Sequence, residues 1–496
     1  MASVPGCSTR AGGTGEVTRF HDRTEQSHGR PSDVVAAGLQ ALDSLNLGVA
    51  LTDASARLLL TNRTADQILA TRDGLEVTTQ GVIGTVKRCC SPSLRMAIEQ
   101  AAQIASSGRP CVKNTALIVE RPSGKRPLTL FVRSVQGTSP PPTTPCTVLL
   151  FMLDPEGPIQ ATEASLRQLY GLTAREACLA HLLISGKTFE ECCDYLSIRA
   201  STARMHLGNV FAKTGVERQG QLVSLLLKSV GAVRMATADS PRTHPEWHAD
   251  RSQMDLRDKR SKGGAPAILA AGLEALDSLH IGVGVLNGVS QLLFANQTAR
   301  QILGTRDGLE VTAQGILTAL KKSGFPSVSA LTQRAAQAKL HESTTPVDSV
   351  VAVPRPSGRR PLTLLFRALS GMEARLDPGG PAVLVFMLDP ELPLPDAESD
   401  LRQLYGFTSC EARLANLLME GKTLDDCCEQ LDIRASTARM HLASMFGKAG
   451  VQRQGPLISL LLKSVGIVRV KADERWIRKS HGRVPTINQH PAAGLD

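Results

Sequence analysis

The 496-residue chain reads as a two-part unit present twice, an α+β module with an antiparallel sheet followed by an all-α module of four short helices. Three observations predict this. Identical strings recur at a nearly fixed offset, β-type apolar runs fill the front of each unit, and paired helix-capping signals crowd its back.

The repeat comes first. "ALDSL" stands at 41–45 and 275–279, "TRDGLEVT" at 71–78 and 305–312, "RPSG" at 121–124 and 355–358, and "FMLDP" at 151–155 and 386–390. "RASTARMHL" stands at 199–207 and 434–442. The offset is 234 early in the unit and 235 late, so one residue was gained or lost between the copies. The expected division is a disordered tail at 1–32, a front module at 33–155, a helical module at 166–231 and a polar linker at 232–265. A second front module follows at 266–390, a second helical module at 401–466 and a tail at 471–496.

Within the front module, "GVALTD", "RLLLTN", "PLTLFVRS" and "CTVLLFML" read as strands, and "NRTADQILA" as a helix led in by Asn62. The Pro-rich acidic stretch "DPEGPIQATEAS" marks the boundary. Beyond it, Thr173 and Glu176 form a capping box, Gly186 closes that helix, and Thr188 with Glu191 opens the next, which runs to about Leu196. Thr408 with Glu411 and Thr423 with Asp426 repeat both signals. Ser201 is expected to cap the third helix and Gly215 to end it in a left-handed conformation. At 100° per residue, Ala203, Leu207, Val210, Phe211 and Thr214 fall on one face, the buried one. Met205, Gly208, Asn209 and Ala212 lie opposite, flanked by Arg204 on one side and by His206 and Lys213 on the other. The fourth helix, "QLVSLLLKSV", has more apolar positions than so small a core can bury, which leaves some of Leu222, Leu225, Leu226 and Leu227 for a partner copy.

Composition removes several classes. A net charge of +10 favours a polyanionic partner. Aromatic residues make up only 3%, which argues against a single-strand binder built on stacking platforms. No apolar run approaches a membrane span and the N-terminus does not read as a secretory signal, so a cytoplasmic protein without membrane association is expected. The eleven cysteines are unevenly placed and read as reduced thiols. Cys192–Cys193 and Cys427–Cys428 point about 100° apart on a helix and lack further ligands, so each pair is read as one core and one half-exposed residue rather than a metal site. A redox role for Cys89 and Cys90 is disfavoured because the second copy lacks them.

Residues 172 to about 227, "LTAREACLAHLLISGKTFEECCDYLSIRASTARMHLGNVFAKTGVERQGQLVSLLL", resemble the LuxR-type helix-turn-helix family. The likeness lies in the opening Leu-Thr-x-x-Glu, the Gly-x-x-x-x-Glu before the second helix, the Ser-Thr-x-x-x-His-Leu of the third and the Lys-x-Gly-Val turn, and it recurs in the second copy. It implies that the third helix enters the DNA major groove and that the fourth dimerises the module. By position, Arg204, Met205 and Gly208 then read base edges, with Asn209 beside them and Thr202, His206 and Lys213 near phosphates. The second-copy counterparts are Arg439, Met440, Ala443, Ser444, Thr437, His441 and Lys448. The family commonly carries a basic residue where Gly208 and Ala443 stand, so one base contact is expected to be missing, and Cys410 replaces the Arg175 position.

"GVALTDASARLLLTNRTADQIL" and "GVGVLNGVSQLLFANQTARQIL" resemble the opening of a PAS-type sensor, two strands joined by a turn and followed by a helix. The resemblance implies a PAS-like domain that takes a small-molecule ligand or pairs with its like. Residues 33–155 contain no histidine, which removes a histidine-ligated haem in the first copy, and no flavin-binding cysteine motif is present. His280 and His341 of the second copy have no counterparts in the first and are read as incidental. No cofactor is expected, and no phosphoacceptor histidine box, receiver aspartate pattern or nucleotide-binding glycine motif points to an enzyme.

The expected function is sequence-specific binding of double-stranded DNA as a transcriptional regulator, modulated by the PAS-like domains. The two recognition strings come from one chain as an intramolecular pseudo-dimer, or from a homodimer. Linking two heads in one chain raises the effective concentration of the second contact to roughly the millimolar range. The alternative is a decoy that dimerises with other regulators through its last helices and does not bind DNA.

Overall fold

The computed structural model describes residues 31–86, 93–106, 115–135, 147–157, 161–231, 272–320, 327–340, 349–369, 382–394, 396–466 and 468. Cys89, Cys90, Cys111, Cys146 and His341 lie outside them, as do the expected linker and nearly all of both tails.

Helix α1 (Pro31–Ser44) leads into β1 (Gly48–Thr52) and β2 (Leu58–Thr61), then α2 (Arg63–Ala70), the hairpin β3 (Leu75–Val77) and β4 (Ile83–Thr85), and α3 (Leu94–Ser106). Strands β5 (Thr115–Val119), β6 (Leu128–Ser134) and β7 (Val148–Leu153) complete an antiparallel sheet ordered β2-β1-β7-β6-β5. The second half repeats this order with β8 (Gly282–Leu286), β9 (Leu292–Ala295), α9 (Gln297–Gly304), β10 (Leu309–Val311), β11 (Leu317–Ala319), α10 (Val328–Leu340), β12 (Ser349–Val353), β13 (Leu362–Ala368) and β14 (Val383–Leu388). Its sheet runs β9-β8-β14-β13-β12.

The strands "VLLFML" and "VLVFML" are apolar at every position because each sheet is covered on both faces. Val148, Leu150 and Met152 face the module's own helices, while Leu149, Phe151 and Leu153 join a core that runs through both halves of the chain. The second sheet divides in the same way, with Val383, Val385 and Met387 inward and Leu384, Phe386 and Leu388 in the shared core. Asn62 links the front elements: its Oδ1 accepts from Ala65 N at 3.0 Å and Val49 N at 2.8 Å, and its Nδ2 donates to the Leu47 carbonyl. Asn296 repeats the arrangement with Ala299 and Val283.

The strings "TRDGLEVT", "RPSG" and "FMLDP" meet in three dimensions. Arg121 Nε lies 2.7 Å from Asp73 Oδ2 and Arg121 Nη1 lies 2.9 Å from Asp154 Oδ2, while Ser123 Oγ donates to Asp73 at 2.6 Å. Arg355 pairs with Asp307 and Asp389 at the same two distances, and Ser357 takes the place of Ser123. Hydrogen bonds from Ser123 hold the Asp73 carboxyl down at about 2 against its burial, with Arg121 adding to the effect. The glycine of "DG" is required as well: Gly74 sits at φ +105°, and a Cβ there would lie 3.0 Å from the Glu120 carbonyl.

Behind each sheet comes a helical module. The first consists of α4 (Glu163–Tyr170), α5 (Ala174–Ile184), α6 (Phe189–Leu196), α7 (Ala200–Thr214) and α8 (Gln219–Leu226), which ends in a π turn, Leu227–Gly231. The second consists of α11 (Glu398–Tyr405), α12 (Ser409–Met419), α13 (Leu424–Leu431), α14 (Ala435–Ala449) and α15 (Gln454–Val465). Four helices were expected per module, so α4 and α11 are additions. "ATEASLRQLY" carries its own cap, Thr162 accepting from Ser165 N, and the helix therefore begins before residue 166. Each added helix packs on the opposite half's sheet: α4 lies on β12 and α11 on β5, and Gln168 Nε2 donates to the Val350 carbonyl at 2.6 Å. Among the described residues no helix is long and apolar enough to cross a membrane.

Candidate nucleic-acid interface

Each helical module is assembled on two capping boxes. Thr173 N donates to Glu176 Oε2 at 2.8 Å, and Thr188 N to Glu191 Oε2 at 2.7 Å, with both reciprocal bonds present. The Thr408–Glu411 and Thr423–Asp426 pairs match them. Glu176 does a second job: Lys213 Nζ lies 2.6 Å from its Oε2, bridging the first helix of the motif to the end of the third. Burial alone would raise the Glu176 carboxyl, but the Lys213 ammonium and the bonds to Thr173 overcome it and hold the group at about 2. Lys448 and Glu411 repeat the bridge at 2.6 Å. The charge of Lys213, expected near phosphates, is thus shared with a buried partner inside the module.

The third helices, α7 and α14, begin two residues earlier than their serines suggest. Arg199 and Arg434 occupy the N-cap in extended conformation, and neither supplies a side-chain cap bond. Ser201 and Ser436 therefore lie inside the first turn and are not caps, because the chain leaving the preceding turn becomes helical at Ala200 and Ala435. The C-terminal ends follow expectation, with Gly215 at φ +66° and Gly450 at φ +64°.

The faces divide as the periodicity requires. Ala203, Val210 and Thr214 are buried and Leu207 and Phe211 half-buried, against α5. Arg204, Met205, Gly208, Asn209 and Ala212 are exposed, and Thr202 and His206 lie half-buried at the margins. In α14 the corresponding Arg439, Met440, Ala443, Ser444 and Gly447 are exposed, and Thr437 and His441 are half-buried. Met205 and Met440 are 56% and 62% exposed, large apolar side chains presented to solvent with no packing duty. Nothing lies within 4 Å of a Cβ built on Gly208, so that face is open to close approach. The Arg204 guanidinium lies 5.9 Å from the centre of the Phe189 ring.

The two modules meet through their last helices, α8 against α15. Leu222, Leu225, Leu226 and Leu227 are all buried, as are Leu457, Leu460, Leu461 and Leu462. The polar contacts across this junction are reciprocal. Ser224 Oγ donates to the Met419 carbonyl at 2.6 Å and Ser459 Oγ to the Ile184 carbonyl at 2.7 Å. Arg218 pairs with Asp425 at 3.1 Å, and Arg453 with Glu190 at 3.0 Å. Gly220 and Gly455 allow the approach: a Cβ on either would lie 3.2 or 3.0 Å from the glutamine amide of the facing helix. A cavity of about 190 Å³ opens beside the crossing, lined by residues of both modules that include Arg218, Arg453 and Lys422. The front modules join as well, with Arg133 donating to Ser278 Oγ and Arg367 to Ser44 Oγ at 2.7 Å.

Cys192 and Cys427 are buried and Cys193 and Cys428 half-buried. Burial pushes the Cys192 and Cys427 thiols up to about 12, which leaves them unreactive. Among the described residues no cluster of His, Cys, Asp and Glu is arranged to hold a metal. Sequence reasoning missed Phe189, the double role of Glu176 and the glycine crossing. Only the last left a legible trace, in "RQG" standing at the same place in both copies.

No family model matches the chain, and no curated protein matches it. Among solved structures it is similar to a phage VqmA in complex with DPO, at 18% identity over 43% of this chain and 89% of that one, with a TM-score of 0.17. A Vibrio cholerae VqmA dimer, described among LuxR-type receptors, aligns at 18% identity over 36% of this chain and 81% of its own, TM-score 0.14. The E. coli DhaR(N)-DhaL complex aligns at 11% identity over 76% and 91%, TM-score 0.16. Likenesses at these TM-scores are too slight to bear on fold or function.

Proposed function

We propose that the chain is a sequence-specific regulator that binds double-stranded DNA through α7 and α14, one pair of reading helices supplied by a single chain. The observation that supports this most directly is the exposed face of each helix. Arg204, Met205, Arg439 and Met440 are exposed on a face with small neighbours at Gly208 and Ala443. A helix of that shape suits the major groove, where an arginine reads guanine and an apolar group meets a thymine methyl. The reciprocal contacts of the α8–α15 junction support a paired arrangement of the two heads, and paired heads of this class read half-sites about 34 Å apart on a duplex. Thr202, His206, Lys213 and their counterparts Thr437, His441 and Lys448 sit at the margins, where phosphates would pass. The front modules act as PAS-like sensors for a small-molecule ligand, their five-stranded sheets covered by α2, α3, α9 and α10.

A decoy reading has less support. The last helices, which a decoy would offer to other regulators, are occupied within the chain. The test is selection from a random duplex pool at low salt with the intact chain and with an Arg204→Ala, Arg439→Ala double variant. Enrichment of a two-part site that the variant loses supports the reading. Equal behaviour of both proteins, or no enrichment, rejects it.

A further inference from the structure

The recognition strings are identical, but their supports are not. Arg204 has the Phe189 ring beside it, whereas the equivalent residue in the second module is Leu424, and among the described residues no ring approaches Arg439. At its other end, α7 is held by a residue from the opposite half: Arg360, in the loop before β13, donates from Nη1 to the Thr214 carbonyl at 3.1 Å and from Nη2 to the Gly215 carbonyl at 2.8 Å. A guanidinium at a helix C-terminus satisfies carbonyls that would otherwise lack partners and complements the dipole. Both loops are tied alike at the backbone, Arg360 N donating to Glu391 at 3.1 Å and Arg126 N to Glu156 at 3.2 Å, so the difference lies in the side chains. The counterpart Arg126 approaches Glu156 at 3.9 Å and, among the described residues, makes no bond to Ala449 or Gly450. A third difference lies on the outward face. Asn209 makes no hydrogen bond among the described residues and offers its carboxamide outward, while Ser444 at the same position acts on its own module, helping to hold the Glu411 carboxyl down.

We infer that the two heads are unequal readers: α7 is a fixed head and α14 an adaptable one, with Phe189 and Arg360 as the positioning residues that make the difference. The inference rests on the DNA-binding reading and specifies its ligand, an asymmetric duplex site with one strictly specified half and one loosely specified half. A side chain held in its binding orientation loses less freedom on contact and tolerates a wrong base less well. The arrangement also means that the front module of the second half touches the reading helix of the first.

The same selection tests this, extended to Arg204→Ala and Arg439→Ala separately and to Phe189→Leu, Arg360→Met and Leu424→Phe. The expected site has one half with sharper base preference, erased by Arg204→Ala alone, and a softer half erased by Arg439→Ala alone. Phe189→Leu should lower discrimination in the sharp half about two- to fivefold, the size of an exposed cation–π contact, and leave the other half unchanged. Leu424→Phe should sharpen the soft half, and this arm stands even if Arg360→Met folds poorly. Two equally sharp halves, or losses spread over both halves, overturn the inequality while leaving DNA binding intact. No enrichment by the unmodified protein overturns the DNA-binding reading and the inequality together.

Discussion

The repeated strings of the front modules and that of the third helices are equally identical, yet the fold accounts for only one kind. "TRDGLEVT", "RPSG" and "FMLDP" supply Asp73, Arg121, Ser123 and Asp154, and in the second half Asp307, Arg355, Ser357 and Asp389, to one ion network per module. Removing either arginine strands two carboxylates at once. In "RASTARMHL", packing explains Ala203 and Leu207, but not Arg204, Met205 or their counterparts, which face solvent. Under the DNA-binding proposal, identity there reflects a contact with the duplex. The sharpest way to break this comparison is to remove a network arginine. The Arg355 side chain is 1% exposed, so Arg355→Ala leaves two carboxylates without their partner and should cost on the order of 3 kcal/mol. Denaturant unfolding measures this, and a loss below about 1 kcal/mol would leave these strings without a structural explanation.

Changes to the outward face should do the opposite, leaving stability alone and weakening binding. Each of Arg204→Ala and Arg439→Ala is expected to cost about 1 to 3 kcal/mol of discrimination at its own half-site. The unfolding midpoint should stay within experimental scatter of the parent. A titration of the selected duplex at several salt concentrations checks both parts. A variant that binds normally but melts early would place the arginine among the structural residues.

The difference between the two kinds of string also sets what was legible in advance. Capping boxes, C-terminal glycines and the buried stripe of α7 depend on neighbours within a few residues, and they stand in the structure as read. The longer strands β6 and β7, rich in apolar residues, were equally plain. The three-residue strands β3 and β4 were missed because so short a pairing carries no periodicity. The ion networks join residues 33 to 50 positions apart, and the hold of Arg360 on Thr214 spans 146 positions. No local pattern announces such contacts; only the recurrence of the strings hinted that something held them. Within the candidate site, the outward residues were legible from helical phase, whereas the support given by Phe189 and Arg360 depends on packing between modules.

A smaller effect probes whether the halves are equal where the geometry says they are. Glu176 and Glu411 each hold a lysine at 2.6 Å, and each carboxyl is depressed from its ordinary 4.5 to about 2. Because the folded pKa is the lower one, the stability each contributes is complete above pH 4.5 and is lost as pH falls toward 2. Glu176→Gln and Glu411→Gln should each remove about 1.5 kcal/mol at neutral pH and flatten the stability profile between those pH values. The two variants should match. A profile as steep as the parent's would show that other carboxylates govern acid unfolding.

The smallest expected effect separates the two kinds of serine and threonine at helix starts. Thr188 accepts from Glu191 N at 3.2 Å and is a true cap, so Thr188→Ala should cost about 1 kcal/mol. Ser201 stands one residue inside α7, exposed and without a cap bond, although its place before an apolar stripe resembles a cap. Ser201→Ala should therefore change stability by less than about 0.5 kcal/mol, as should Ser436→Ala. Any larger loss would mean that the helix starts at the serine after all. With stability unaffected, a fall in DNA affinity for Ser201→Ala would instead assign the hydroxyl, and the open first turn of α7 around it, to the phosphate backbone.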